Sequence, residues 1–434
     1  MRFKSKIPKE YVMTRSCAAV VGLALFALSF WSGIAPAHAA LLYHWLQYSE
    51  NGLEARAIST DQQCPAAHID GTLMAMSVRS KPGEGYPITV CAVPVPLSAH
   101  DVRINDIPLT MPKQKPMRIL VIGDTGCRLK GKVAQACNDI AQWPFRVGAD
   151  ISAELKPDLV IHVGDYHYRE TPCPLDNKGC AGSAYGDNWD VWQSDFFVPG
   201  ESLLNSAPWV MVRGNHEECD RGGKGWARTL DPYEWREETG VQGCLGPARP
   251  LLIDLGGIKL IAADVSTADE EKANAKQAAW YRDVFTSAFK QAGEGPVWLT
   301  FHRPIWATDG SSGPNLGGDN KTLAAALADA IPTNVQLIIS GHHHVFEAMN
   351  YEQDLPIQLV SGHGGDELAM NVPKNPVGIV VNGMTIKAGI TRPGIFGFSL
   401  LERQSDQKWI YTGYDIHARP IGICDIDGRT MACH

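Results

Sequence analysis

The feature that most constrains this chain is a series of short apolar runs, most of them closed by glycine and then by a polar residue. "RILVIG" runs into Asp124, "LVIHVG" into Asp165, and "WVMVRG" into Asn215 and His216. "VWLTF" runs into His302, and "QLIISG" into His342 and His344. Near-continuous apolar strands imply a sheet buried on both faces. Helix-compatible segments, "AKQAAWYRDVFTSAFKQA" and "NKTLAAALADAI", lie between some of the runs. The alternation predicts an α/β fold. In such sheets ligands bind beyond the carboxyl ends of the strands. Five segments distant in sequence therefore bring two Asp, one Asn and three His to a single rim. Gly123, Gly164, Gly214 and Gly341 precede the polar residues, and glycine permits a sharp turn off a strand.

That donor set has a chemistry. Hard oxygens together with imidazoles suit first-row divalent and trivalent ions. Six or seven ligands exceed what one zinc site needs and suit two metals sharing a carboxylate. Each piece is weak alone; the specificity lies in all five occurring in order.

The segments "GDTG", "GDYHY", "GNHE", "LTFH" and "GHHH" resemble, in order, the five motifs of the purple acid phosphatases within the calcineurin-like metallophosphoesterases. Leu299 stands where that family usually has valine. The resemblance covers roughly Met117 to Gly365. It implies a metallophosphoesterase αββα sandwich of two mixed sheets flanked by helices. It also implies that Asp124, Tyr168 and His344 hold Fe(III), that Asn215, His302 and His342 hold a divalent ion (Fe, Zn or Mn), and that Asp165 bridges the two. In the wider superfamily a histidine commonly stands where Gly126 is found here, and Tyr168 supplies the replacement donor; a phenolate favours the ferric ion. The implied reaction is hydrolysis of phosphate monoesters by attack of a metal-bound hydroxide. His216 is the candidate proton donor or charge stabiliser. Arg213, Arg303 and His167 are candidates for contact with substrate phosphate. His343 should point away from the metals. Glu347 is a candidate to orient one of the neighbouring imidazoles. Phosphodiester or nucleotide hydrolysis on the same two metals is the nearest alternative. A non-catalytic secreted binding module is the alternative of another kind, and the intact donor set argues against it.

The remaining sequence places this rim in a larger context. Residues 1–39 carry basic residues, then the apolar run "CAAVVGLALFALSFW", then "APAHA"; this reads as an export signal, for a periplasmic or secreted protein with no membrane attachment afterwards. Without it the formal charge falls from −8 to −12, which disfavours non-specific binding to nucleic acid. Ten cysteines remain, with no CxxC spacing, and predict disulfides. Neighbour pairing gives Cys64–Cys91, Cys127–Cys137, Cys173–Cys180, Cys219–Cys244 and Cys424–Cys433. Residues 40–115 read as a small β-rich domain or a β extension, and residues 116–434 as the catalytic domain. The stretches 127–150 and 169–190 form either disulfide-pinned loops over the rim or merely stabilised surface loops. The expected partner is a small phosphorylated substrate.

Overall fold

The structure, a computed structural model, describes residues 40–236, 244–308, 320–327 and 329–434. The export signal expected over 1–39 lies outside the described residues. No helix among the described residues is long and apolar enough to cross a membrane.

Two mixed sheets carry the fold, one of eleven strands and one of eight. Their strands arise where the apolar runs predict them. In the larger sheet, Arg118–Ile122, Leu159–His162 and Trp209–Met211 lie side by side and parallel. In the smaller, Lys259–Ala262, Val297–Thr300 and Val335–Ser340 do the same. Side chains alternate across a strand, and each sheet uses both faces. Ile119 and Val121 point into the core between the sheets, where they meet Leu260, Leu337 and Ile339. Leu120 and Ile122 point the other way, against Phe145, Ala149, Trp192 and Phe196 of the helical layer. Ile261 and Ile338 face a second helical layer with Phe285 and Leu323. The result is a sandwich of two sheets between helices.

Helix Ala275–Ala292 shows why the outer layer holds. Asn274 caps its first turn by accepting from the Gln277 N–H at 3.2 Å. Ala278, Tyr281, Phe285, Ala288, Phe289 and Ala292 are buried along one stripe, the spacing of an amphipathic helix. Trp189 and Trp192 likewise sit in a short helix, Trp189–Trp192, and both are buried.

The N-terminal segment joins this framework. Strand Leu41–Ser49 pairs parallel with Trp209–Met211, and Gly52–Ser59 and Thr89–Val95 extend the larger sheet beyond it. "LMAMSV" forms two strands in different sheets, Thr72–Ala75 and Ser77–Ser80. The C-terminal runs divide too. Ile357–Ser361 enters the smaller sheet, whereas Gly397–Arg403 and Lys408–Asp415 enter the larger one. All five neighbouring cysteine pairs are disulfide-bonded.

Candidate metal centre

Register delivers the rim. Ile122 pairs with His162, and His162 with Met211, so the loops bearing Asp124, Asp165 and Asn215 leave the larger sheet as neighbours. Thr300 pairs with Ile339, so His302 and His342 leave the smaller sheet together. The turns are tight. Asp124, Asp165 and His342 all have positive φ, at 55°, 58° and 70°, a conformation that costs a non-glycine residue of order 1–3 kcal/mol and clusters at functional sites. Two glycines make the close approach possible. A Cβ on Gly214 would fall 2.0 Å from Asp165 Oδ1, and one on Gly341 would fall 2.5 Å from Asp124 Oδ2.

The seven predicted donors meet in two groups. In the first, Tyr168 Oη lies 3.1 Å from Asp124 Oδ1, 2.8 Å from Asp165 Oδ2 and 3.0 Å from His344 Nε2. In the second, His302 Nε2 lies 3.0 Å from Asn215 Oδ1, 3.1 Å from Asp165 Oδ2 and 3.2 Å from His342 Nδ1. One oxygen, Asp165 Oδ2, belongs to both. Asp165, His302 and His342 have donor atoms within 4.8 Å of one another and form a candidate metal-binding group.

Each imidazole has its other nitrogen tied outside the group. His302 Nδ1 donates to the Val163 carbonyl at 2.8 Å, His342 Nε2 to Glu270 at 2.8 Å, and His344 Nδ1 to the Glu367 carbonyl at 2.6 Å. This is how ligating histidines are oriented. Charge points the same way. Burial alone would lower the His302 and His344 imidazoles, but nearby carboxylates raise both to about 9: Asp165 and Asp124 act on His302, and Asp366 and Asp124 on His344. Burial, then Asp165 and Asp124, hold the Tyr168 phenol well above its ordinary value. Buried carboxylates without a matching cation are costly, so this set of residues fits positively charged ions.

Glu217 binds the two oxygen-bearing loops together. Its carboxylate accepts from the Asp165, Tyr166 and His167 N–H groups at 3.0, 2.8 and 3.1 Å, and from the Gly214 N–H at 3.0 Å. The His216 N–H donates to Asp165 Oδ1 at 2.8 Å. Its ring packs on Tyr168 with centroids 3.8 Å apart, and its Nδ1 lies 2.8 Å from Glu170 Oε1.

The other expected residues are placed as follows. The Arg213 guanidinium is committed to the Glu217 and Leu245 carbonyls and to Asp264, at 2.9, 2.8 and 3.2 Å. It is buried and braces the loop. His167 is buried, its Nε2 3.1 Å from the Gly186 carbonyl and its ring against Trp192, so it too is turned into the protein. Arg303 lies beside the site, 2.6 Å from Glu270 and 3.4 Å from His342 Nε2. Glu347 accepts the Thr308 hydroxyl; Glu270 lies against His342 and the Glu367 carbonyl against His344. The His342 and His343 rings lie 5.6 Å apart, and no donor group described above includes His343.

Sequence reasoning missed Glu170, Glu270, Arg128, Asp366 and Arg221, whose Nη2 lies 2.7 and 2.8 Å from the two His216 ring nitrogens. Asp366 had a signal, since "LVSGHGGD" repeats the pattern of a strand, glycine and an acid. Glu270, in "TADEEK", had none.

A model of the calcineurin-like phosphoesterase family matches residues 117–346. The chain belongs to this family. The matched region contains all seven donors, and membership makes the chain a metal-dependent phosphoesterase by family. No curated protein matches the sequence. Among solved structures, the fold is similar to that of purple acid phosphatase PPD1 from yellow lupin (Lupinus luteus) seeds. Identity is 13%, the match covers 90% of this chain and 74% of that one, and the TM-score is 0.57. PhoD is similar at 10% identity, with 91% of each chain covered and a TM-score of 0.52. At such identities the likeness is one of fold.

Proposed function

We propose that this chain is an exported dimetal phosphatase of the purple acid phosphatase type, acting on phosphate monoesters. One observation carries the reading: Asp165 Oδ2 lies 2.8 Å from Tyr168 Oη and 3.1 Å from His302 Nε2, so one carboxylate oxygen joins two donor groups. Asp124, Tyr168 and His344 would hold a ferric ion. Asn215, His302 and His342 would hold a divalent ion (Fe, Zn or Mn), and Asp165 would bridge them. When bound, two such ions neutralise phosphoryl oxygens and acidify water.

The protein's own groups do the rest. Glu217 holds the Asp165 and Asn215 loops at a fixed spacing. His216 Nδ1 lies 2.8 Å from Glu170 Oε1, and its Nε2 lies 3.9 Å from Asp165 Oδ2 and 2.8 Å from Arg221 Nη2. There the ring, when protonated on both nitrogens, would donate a proton to the leaving oxygen or stabilise charge on the phosphoryl group; burial opposes that protonation and lowers the imidazole to about 3, against the pull of Asp165 and Glu170. Arg303, held by Glu270, is the nearest of the expected cations to the divalent site. Five disulfides support an oxidising destination, periplasmic or secreted.

The test uses purified protein loaded with iron and a divalent ion. A nitrophenyl phosphate monoester should turn over faster than the bis-ester; the reverse order would make the chain a phosphodiesterase. The loaded protein should be purple, and Tyr168→Phe should remove the colour. A coloured Tyr168→Phe protein would refute Tyr168 as a ligand. No metal uptake and no turnover would favour a binding module.

A further inference from the structure

Tyr168 is held on more sides than ligation requires. The Arg128 guanidinium lies over its ring, 5.0 Å from the centroid, within the reach of a cation–π interaction. Arg128 cannot drift away. Its Nε lies 3.1 Å from both Asp366 oxygens, its Nη2 also bonds Asp366 Oδ2, and Asp366 is fully buried. The same Asp366 lies 3.4 Å from His344 Nδ1, so one carboxylate clamps Arg128 and borders the neighbouring imidazole.

The backbones are locked in register as well. Asp195 accepts the Cys127 N–H at 3.2 Å and the Tyr168 N–H at 2.9 Å. The Leu129 N–H donates to the Tyr168 carbonyl at 3.0 Å. The Cys127–Cys137 disulfide anchors the residue next to Arg128. A surface arginine kept only for solubility would have none of these restraints.

We propose that Arg128 is a positioning residue for Tyr168: its charge, fixed over the ring by Asp366, sets the energy of the ring's filled π orbital. A ligating phenolate spreads negative charge into the ring, where the cation acts on it. The same cation lowers the filled orbital from which an electron is promoted to iron. The inference rests on the ligand reading given under Proposed function.

The experiment is the visible spectrum of the full protein loaded with Fe(III) and Zn(II), with iron content measured on the same samples. Wild type, Tyr168→Phe, Arg128→Gln and Arg128→Lys are compared. Arg128→Gln should move the charge-transfer maximum to longer wavelength by on the order of 10 nm. Arg128→Lys keeps the charge without the planar fork and should move it less; it is the variant to read if Arg128→Gln does not fold. A wild-type band lost in Tyr168→Phe but unmoved in both Arg128 variants would overturn the inference alone. So would loss of iron with an unmoved maximum in what remains, which is the result of a purely structural role. Iron-loaded wild type with no such band, or a band surviving Tyr168→Phe, would overturn the ligand reading and the inference with it.

Discussion

The two sheets contribute different chemistry to one rim. The larger sheet supplies every oxygen donor: Asp124, Asp165, Tyr168 and Asn215. The smaller supplies every nitrogen donor: His302, His342 and His344. Neither half is a site. Each donor group takes members from both, so the groups exist only while the sheets are packed together. The halves are also braced differently. The oxygen loops are tied by Glu217 through four backbone N–H groups. The imidazoles are oriented one at a time by separate acceptors. Damage to the oxygen half should therefore spread, and damage to an imidazole support should stay local.

The sharpest way to break this comparison is Asp165→Ala, which removes the oxygen common to both groups. Turnover should fall roughly a thousandfold or more, and metal analysis should show the pair of ions lost. Undiminished turnover would put the bridge elsewhere. Next comes the seam between the sheets. Trp298 is fully buried there and packs on Trp409 with ring centroids 4.7 Å apart. Trp298→Ala should cost about 3–5 kcal/mol in denaturant unfolding, and metal binding should weaken with it, since both donor halves depend on this contact. Full metal affinity in a strongly destabilised variant would show that the halves assemble without the core.

A buried imidazole outside both donor groups tests acid sensitivity. Burial lowers His363 to about 4 from 6.5. The unfolded chain takes up this proton near 6.5 and the folded chain only near 4. Stability from this group is therefore complete above 6.5 and declines as pH falls toward 4, by about 1.4 kcal/mol per pH unit. Unfolding measured from pH 7 to pH 4 should show this slope, and His363→Phe should flatten it. An unchanged slope would assign the acid response to other groups. The smallest effect is expected at Glu270→Gln, which among the three imidazoles weakens the orientation of His342 and also loosens Arg303 beside it. Affinity for one metal should drop about 10- to 100-fold while the oxygen half stays intact. Loss of both ions would mean that the imidazole supports are coupled after all.

Much of the architecture was legible because strands and helices announce themselves locally. A run such as "LVIHVG" is apolar on both faces, and the stripe in "AKQAAWYRDVFTSAFKQA" has helical spacing. The glycine-then-acid pattern located the turns that bring the candidate donors together, because only a few residue types tolerate a sharp departure from a strand. What failed to show were partners set by side-chain direction. Arg213 and His167 sit next to candidate donors in sequence, yet their side chains are turned into the protein. Glu270 and Arg128 were silent, because nothing local distinguishes them from solvated surface charges.

The chain's order of residues, by itself, determined which atoms are offered as ligands and at which strand ends. Those choices depend on backbone geometry within a few positions. Only the packed sandwich decided that oxygen and nitrogen donors meet, which carboxylate oxygen is shared, and which outer groups fix each ring. Those outcomes depend on the register between strands and the seam between sheets, where contacts join residues tens to hundreds of positions apart.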